Sequence, residues 1–339
     1  MKLEDQFKLI SKNIEELINE KELKIILKKK DYSAYIGFAP TGRVHIGHLI
    51  PLVKISDFIK AGFRFKFLIA DLHAFLDEKK TPWKELEARS VYYEEIIKAI
   101  FKSINVDLSK IEFVKGSDFQ LKKDYVLDLF HLTGEITLNR SRRAASEVVR
   151  FKEDPKLGGF IYPLMQILDP FYLGVDVCFS GIDQRGIYML GREVLPKLKS
   201  RTLTCVFTPL QPGLGGIKMS ASDEKSKIDI LDSEKEVFSK VNKAYCPVGE
   251  LKDNGILTFI EQVIFPLKRS FIVERPRRYG GDLEFESYKA LEKVFVKKEL
   301  HPADLKKQVS KDLNKILRPI KKIMESKKII VKKAYPNLQ

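Results

Sequence analysis

The chain has 339 residues, 44% of them apolar, with 61 Lys and Arg against 46 Asp and Glu and a formal net charge of +15. This length is enough for two domains, and the apolar fraction excludes a wholly disordered chain. No apolar run approaches the roughly 20 residues of a membrane span. The widely spaced Cys178, Cys205 and Cys246 exclude a disulfide framework and a zinc ribbon. We therefore predict a cytoplasmic protein with no membrane segment.

The basic excess is concentrated near the C-terminus. Residues 300–339 contain ten Lys and one Arg against three acidic residues, which is about half of the net charge. Such an excess favours a polyanionic partner. A solvated lysine-rich surface would have the same composition.

In chain order, the first twenty residues have the pattern of an amphipathic helix, which is unlike a signal or transit peptide. Three apolar segments then predict buried strands, at residues 33–38, 63–70 and 111–116. Between them we expect a helix from about His45 to Lys60 and another that starts at Thr81-Pro82, as N-cap and first residue. Strands joined by helices predict an α/β fold with a doubly wound parallel sheet of the Rossmann type.

The second half of the chain is predominantly helical. Residues 118–175 predict a helical insertion, 176–181 resume the strand pattern, and a helix follows through Leu195. A loop rich in Pro, Gly and Ser covers 209–227, and beyond about 230 only helical segments are predicted. We therefore expect a catalytic domain over 1–229 and an α-helical domain over 230–339.

The strongest chemical signal is His45-Ile46-Gly47-His48, which follows a strand and Pro-Thr-Gly and opens a helix. Histidines three residues apart share one face of a first helical turn, whose free N–H groups favour an anion. Imidazoles there can donate hydrogen bonds to a phosphate as its charge grows, and Gly47 lets a nucleotide approach the backbone. The alternative is a pair of surface histidines.

The second signal is the pentapeptide Lys218-Met219-Ser220-Ala221-Ser222, which follows Gly-Leu-Gly-Gly in a loop. A lysine on a flexible loop can neutralise a triphosphate in the transition state. Alone, the pentapeptide would be an ordinary exposed loop. Together, the histidine motif and this loop, about 170 residues later, resemble the paired signatures of class I aminoacyl-tRNA synthetases.

Further blocks narrow the resemblance to one family. The stretches AYIGFAPTGRVHIGH, ADLHAFL, IYPLMQILD, GIDQR, GGIKMSAS, AYCPVGE, YGGD and ELHPADLK resemble tyrosyl-tRNA synthetases of the archaeal and eukaryotic cytosolic kind. They occur in the family's order and cover about residues 5–335. The resemblance implies an enzyme that forms tyrosyl-adenylate from L-tyrosine and ATP, with Mg²⁺ accompanying the ATP, and transfers the tyrosyl group to tRNA(Tyr). It also implies a homodimer through the 118–175 insertion, an anticodon-binding role for 230–339, and no dedicated metal site in the protein.

The resemblance also assigns site residues. Substrate tyrosine is expected at Tyr35, Tyr162, Gln166, Asp169 and Gln184, with Tyr35 and Asp169 meeting the phenol hydroxyl. ATP is expected at Gly37, His45, Gly47, His48, Asp183, Lys218, Met219, Ser220, Ala221 and Ser222, of which His45, His48 and Lys218 are the catalytic residues. The tRNA is expected at Arg143 and Arg185, on the first acceptor base pair, and at Tyr279, His301, Pro302 and Asp304, on the anticodon.

Simpler roles compete with several of these assignments. Tyr162 alone would more often be core packing, and Asp169-Pro170 a helix terminator. Arg143 lies in a basic run that could be simply solvated, and His301-Pro302 could be an ordinary helix start.

The chain also departs from the family pattern in three places. Ala221 replaces a polar or basic residue, Gly186 replaces a common lysine and Ser180 replaces a usual glycine. Two other functions therefore stay open: a tryptophanyl-tRNA synthetase, which the Tyr35–Asp169 pairing disfavours, and a non-catalytic RNA-binding paralogue.

Overall fold

A computed structural model describes residues 1–78, 80–149, 151–199, 202–214 and 227–336. The main sheet has six strands, β1 (Glu16–Ile18), β2 (Ser33–Phe38), β3 (Arg64–Ile69), β4 (Ile111–Lys115), β5 (Val177–Gly181) and β6 (Thr204–Thr208). Their order is β1-β6-β5-β2-β3-β4, with β1 antiparallel to β6 and all other pairs parallel. The predicted Rossmann-type sheet is confirmed.

The helices before β6 cover the faces of this sheet. They are α1 (Leu3–Ser11), α2 (Glu20–Ile26), α3 (Leu49–Lys60), α4 (Asp71–Leu76), α5 (Leu86–Ser103), α6 (Ser117–Gln120), α7 (Lys123–Glu135), α8 (Leu138–Ala145), α9 (Leu157–Tyr172) and α10 (Arg185–Lys199). One apolar layer joins Phe58 of α3 and Ile96 of α5 to one face of the sheet. A second layer joins Ile167 of α9 and Ile187 of α10 to the other face. This is the arrangement of a doubly wound sheet.

The rest of the described chain is mainly helical. It contains α11 (Glu234–Lys243), α12 (Gly255–Phe259), a π-helical turn (Ile260–Ile264), α13 (Phe265–Leu267), α14 (Tyr288–Val296), α15 (Pro302–Glu325) and α16 (Lys328–Ala334). Its buried residues, such as Val237 and Leu313, belong to the same apolar cluster as Ile36 of β2. The C-terminal helices therefore pack directly on the N-terminal half of the chain. No helix in the described part of the chain is long and apolar enough to cross a membrane.

Some sequence-based expectations were wrong. The N-terminal helix stops at Ser11, because Asn13 takes a left-handed conformation, and the chain then forms strand β1. Thr81 does not cap a helix: its buried hydroxyl donates to the carbonyl of Pro40, and α5 begins only at Leu86.

Three strands also escaped the sequence analysis. Strand β6 was missed, and so was a two-stranded antiparallel sheet, β7 (Phe271–Val273) with β8 (Leu283–Phe285), in the region expected to be helical only. The strands β7 and β8 have three residues each, which is too short for an alternating pattern to stand out.

The C-terminal end of the chain returns to the turn that follows β2. The hydroxyl groups of Tyr335 and Tyr93 both donate to the carbonyl of Gly42, at 2.8 and 2.7 Å. The guanidinium group of Arg89 donates to the carbonyl of Thr41 and lies 4.7 Å from the Tyr335 ring centre. These contacts hold the turn through its carbonyl groups.

A buried lysine fastens α1 to α3. The Lys54 ammonium group, with only 4% of the residue exposed, donates to the carbonyls of Leu9 and Lys12, at 2.8 and 2.7 Å, and to Asp57 at 3.2 Å. It therefore satisfies two carbonyls at the end of α1, together with a buried carboxylate.

We expect Lys54→Met to destabilise the protein by about 3 kcal/mol, because two carbonyls and the Asp57 carboxylate lose their main partner. Guanidinium unfolding measures the change. The matched control is Lys60→Met, an exposed lysine of the same helix, which should change stability by less than about 0.5 kcal/mol. Equal effects of the two substitutions would contradict this account of Lys54.

Candidate active site

A cavity of about 300 Å³ opens between the carboxyl ends of β2 and β5. The chain runs outward from β2 in opposite directions, to β3 and β4 on one side and to β5 and β6 on the other, so this is the switch point of the sheet. Ten of the predicted residues line the cavity: Tyr35, Gly37, His45, Gly47, His48, Tyr162, Gln166, Asp169, Asp183 and Gln184. The predicted residues Lys218, Met219, Ser220, Ala221 and Ser222 lie outside the described residues.

The two motif histidines are held by the backbone of their own turn. His45 ends an extended segment, and Ile46–His48 form a 3-10 turn that leads into α3. The Nδ1 atom of His45 accepts from the N–H of Gly47 at 3.2 Å. The Nδ1 atom of His48 lies 3.2 Å from the N–H of His45, and the ring centres are 4.1 Å apart. The two side chains are therefore fixed side by side at the cavity.

Burial keeps both imidazoles neutral. It lowers the pKa of His48 to about 4 and the pKa of His45 well below its usual value. A neutral imidazole whose Nδ1 accepts a hydrogen bond carries its proton on Nε2. His45 therefore presents an N–H donor, and no positive charge, at neutral pH.

The chain just after the predicted lysine loop is paired with the histidine motif. The N–H of Ile46 donates to the carbonyl of Ile228 at 2.9 Å, and the N–H of Ile230 donates to the carbonyl of Val44 at 3.1 Å. Arg43 adds an ion pair with Asp229 at 3.1 Å. The segment that follows residues 215–226 is thus anchored beside His45. Gln211, which precedes residues 215–226 in the chain, lines the cavity.

A buried carboxyl group, that of Asp169, lines the cavity, with 1% of the residue exposed. Its Oδ1 atom accepts from the Gln120 amide and from the Tyr125 hydroxyl, both at 2.8 Å. Its Oδ2 atom lies 3.9 Å from Nε2 of His73. Burial raises the pKa of Asp169 to about 7, and the two hydrogen bonds oppose that rise. Helix α9 continues through Pro170 to Tyr172, so Asp169-Pro170 does not terminate it.

A chain of polar side chains follows one wall of the cavity. The Gln166 amide donates to the Gln184 side-chain oxygen at 3.0 Å, and the Gln166 oxygen Oε1 is buried without a hydrogen-bond partner. The hydroxyl oxygens of Tyr35 and Tyr188 are 2.8 Å apart. An orphaned acceptor beside a cavity calls for a donor from a ligand, and an ammonium group would supply one.

The sequence analysis missed four polar residues of this site, His73, Gln120, Tyr125 and Tyr188. His73 is buried with both ring nitrogens unpartnered, and its ring packs edge-on against Tyr162 at 4.6 Å. Both His73 and Gln120 follow the carboxyl end of a strand, β3 and β4 respectively, which is the signal that could have identified them. Tyr125 and Tyr188 lie within helices and carry no such signal.

The two predicted acceptor-stem arginines lie near one contact between helices. Arg143 is exposed near the end of α8, and Arg185 begins α10 and donates to Glu16 at 2.9 Å. Their neighbours Ala144 and Gly186 touch, because a Cβ atom on Gly186 would lie 2.6 Å from the Ala144 carbonyl. The glycine at position 186 thus allows a close approach of α8 and α10.

The predicted anticodon residues gather at one end of the C-terminal half. Tyr279 is 58% exposed and closes a 3-10 turn between β7 and β8. Arg275 ties that connection to the carbonyl of Glu299, just before α15. His301 caps α15, with Nδ1 accepting from the N–H of Ala303 at 3.1 Å, so it does serve as a helix start. Pro302 is buried at the first position of the helix, and Asp304 follows in its first turn.

Acidic and histidine side chains are not clustered as in a metal centre. Within the described ranges, no group of three or more His, Cys, Asp or Glu could hold a metal ion. A switch-point cavity with paired histidines at a helix start defines a nucleotide-binding α/β enzyme.

Comparisons with known proteins specify the family. The family model of class I tRNA synthetases for tryptophan and tyrosine matches residues 27–318. The tyrosine–tRNA ligase of Haloarcula marismortui is 46% identical over 98% of this chain and 97% of its own. The cytoplasmic enzyme of Danio rerio is 43% identical over 98% of this chain, which spans 63% of that relative. The tyrosyl-tRNA synthetase of Archaeoglobus fulgidus, solved with L-tyrosine, superposes with a TM-score of 0.89 at 41% identity, over 95% of this chain and 100% of its own. The chain therefore belongs to the class I tRNA synthetases and, within them, to the tyrosine–tRNA ligases.

The Asp169 site predicts a measurable shift in pKa. We expect Tyr125→Phe to raise the pKa of Asp169 above its value of about 7, because the hydroxyl that stabilises the carboxylate is lost. A carboxyl ¹³C NMR titration of labelled aspartate measures it. Tyr172→Phe is the matched control, since the Tyr172 hydroxyl donates to Asp128 instead. An unchanged or lower pKa in Tyr125→Phe would refute the role given to this hydroxyl.

Proposed function

We propose that the cavity forms tyrosyl-adenylate from L-tyrosine and ATP and then transfers the tyrosyl group to tRNA(Tyr). The observation that carries the proposal is a buried carboxylate, Asp169, that lines the same cavity as the histidine turn. A carboxylate fixed there requires a donor from the ligand, and a phenol hydroxyl is such a donor. The histidine turn suits the phosphates of ATP.

Each end of the amino acid meets matching groups. The phenol hydroxyl would donate to Asp169 and accept from Tyr35. The ammonium group would donate to Oε1 of Gln166, which has no hydrogen-bond partner in the protein. It would lie near Gln184 and Tyr162. A phenylalanine side chain would leave the buried carboxylate without that donor, which is strongly unfavourable.

The ATP would lie along the histidine turn. The carboxylate of the amino acid attacks the α-phosphorus, and pyrophosphate leaves as the bond to the β-phosphate breaks. The imidazoles of His45 and His48 would stabilise the charge that grows on the phosphate, with Lys218 as the cation that neutralises the triphosphate. Asp183 would hold the ribose, and Gly37 and Gly47 would let the nucleotide approach the backbone closely. Met219, Ser220, Ala221 and Ser222 are the remaining ATP-binding residues of this proposal, and Mg²⁺ would accompany ATP as part of the substrate.

Pyrophosphate exchange tests the amino-acid assignment. We expect ATP–pyrophosphate exchange with tyrosine and almost none with phenylalanine or tryptophan, because only tyrosine places a hydroxyl at the Asp169 carboxylate. Comparable exchange with tryptophan would favour a tryptophanyl enzyme. No exchange with any aromatic amino acid would favour a non-catalytic RNA-binding protein.

Rapid kinetics test the role of the histidine turn. We expect His48→Ala to reduce the adenylation rate by ~10²–10³, the loss typical of a deleted transition-state donor, with little change in ATP affinity. The matched control is His301→Ala, an exposed histidine of the C-terminal half, which should leave the rate of this tRNA-independent step unchanged. Weaker ATP binding at an unchanged rate would show that His48 serves ground-state binding instead.

A homodimer through the 118–175 insertion belongs to the same proposal. Among the described residues of this region, five large apolar side chains are more than half exposed: Leu121, Leu127, Phe130, Leu138 and Leu157. Soluble chains seldom leave such a set uncovered, which supports a second copy at this face.

Because relatives in Danio rerio and other eukaryotes are named cytoplasmic enzymes, we place the protein in the cytoplasm.

We also propose that 1–229 form the catalytic domain and 230–339 read the anticodon. Tyr279 has an exposed ring that can stack on an unpaired base, near His301, Pro302 and Asp304 at the start of α15. Arg143 and Arg185 would meet the first base pair of the acceptor stem. The lysines of the last forty residues attract the RNA backbone without reading its sequence.

Charging assays separate these two contributions. We expect Tyr279→Ala to lower kcat/KM for tRNA(Tyr) by about tenfold, as for one lost stacking contact, and to leave tyrosine–ATP chemistry intact. In the same variant, the decrease in kcat/KM that an altered anticodon causes should become smaller. Neutralising the exposed Lys332 and Lys333 should instead weaken all tRNAs alike and flatten the salt dependence. An anticodon penalty unchanged by Tyr279→Ala would remove Tyr279 from the reading surface.

A further inference from the structure

Tyr188 is a buried tyrosine that none of the roles above uses. It lies in α10, is 1% exposed, and lines the cavity beneath Tyr35. Its hydroxyl oxygen is 2.8 Å from that of Tyr35, which is also 1% exposed. Two buried hydroxyl groups that share a hydrogen bond must divide their protons, and the direction of the bond decides what each can offer a ligand.

The groups around Tyr35 bear on that direction. Either hydroxyl group could donate in the bond between the two oxygens. The Tyr35 hydroxyl also lies 3.5 Å from the carbonyl of Gln166, which can only accept. Whenever the Tyr35 proton points to an acceptor other than Tyr188, Tyr188 must be the donor in the bond that the two tyrosines share.

With substrate bound, the same direction is required. The phenol hydroxyl of tyrosine donates to Asp169, because a carboxylate only accepts. The phenol oxygen must then accept from Tyr35, so the Tyr35 oxygen must accept from another donor. The Tyr188 hydroxyl is within reach of it.

We propose that Tyr188 is a positioning residue that directs the Tyr35 hydroxyl proton toward the phenol oxygen of the substrate, and so contributes to the choice of tyrosine over phenylalanine. This inference rests on the proposed function. The relay runs from Tyr188 to Tyr35 and from Tyr35 to the phenol oxygen of the substrate. Tyr188 acts through Tyr35 and does not touch the reacting atoms.

Tyr188→Phe tests the relay, because it deletes one hydroxyl and keeps the ring. In ATP–pyrophosphate exchange we expect the KM for tyrosine to rise about 3- to 10-fold, the range for one hydrogen bond, with kcat and the KM for ATP unchanged. The kcat/KM for phenylalanine should not change, because phenylalanine has no oxygen for the relay to address. The ratio of kcat/KM for tyrosine to kcat/KM for phenylalanine should fall by the same factor. A general loss of packing would not produce that pattern.

Two further variants separate the relay from a structural effect. Tyr35→Phe together with Tyr188→Phe should be no worse than Tyr35→Phe alone, since Tyr188 acts only through the Tyr35 hydroxyl. The matched control is Tyr32→Phe, a buried tyrosine outside the cavity whose hydroxyl donates to the Ala61 carbonyl, and it should leave exchange kinetics unchanged. If Tyr188→Phe does not fold, Tyr188→Met can refill the space and should give the same ratio.

The outcomes are distinct. If the parent enzyme exchanges with tyrosine but Tyr188→Phe lowers the use of tyrosine and phenylalanine equally, or its effect adds to that of Tyr35→Phe, the relay is overturned and the proposed function stands. If the parent enzyme does not exchange with tyrosine, the proposed function fails first, and the relay fails with it.

Discussion

The buried carboxylate of Asp169 is the constraint around which the amino-acid end of the cavity is built. A carboxyl group that is 1% exposed is unfavourable unless donors surround it, and its pKa of about 7 reflects how strongly burial opposes the charge. The two donors come from Gln120 of α6 and Tyr125 of α7, which lie at the start of the helical insertion. The insertion supplies both hydrogen-bond donors that allow the Asp169 carboxylate of α9 to be buried. It therefore forms part of the wall of the site.

The ATP end of the cavity is held in a different way, through the backbone. Carbonyls of the turn after β2 are engaged from behind by Arg89, Tyr93 and Tyr335, and the following turn is fixed by the histidines' own contacts with backbone N–H groups. Neutral imidazoles suit this arrangement. They can donate to a phosphate as its charge increases without forming a strong ion pair with it in the ground state. Under the proposed function, side chains would therefore select the amino acid, while a turn held through its backbone would bind the nucleotide.

Sequence reasoning reached the parts of this site that depend on local pattern. Strand β2 and the histidine turn follow from an apolar run, a Pro-Thr-Gly turn and paired histidines, which are all contiguous in the chain. Tyr188 and Tyr125 could not be found in that way. Each looks like a core aromatic of an amphipathic helix, and only the folded arrangement places their hydroxyl groups 2.8 Å from Tyr35 and Asp169 respectively. Strands β7 and β8 were missed because each has only three residues. Such a short segment becomes a strand by pairing with another segment rather than through its local propensity.

The two ends of the cavity share one strand, and this explains why they keep their spacing. Tyr35 and Gly37 are two residues apart in β2 and both line the cavity, and β2 then leads directly into the histidine turn. Its register is fixed on both sides, with Tyr35 opposite Lys66 of β3 and Cys178 of β5. A slip of one residue would turn Tyr35 to the opposite face and displace the turn by about 3.3 Å. The distance between the phenol and phosphate ends is therefore set by the pairing of the central strand, and the surrounding helices only need to bring their side chains to it.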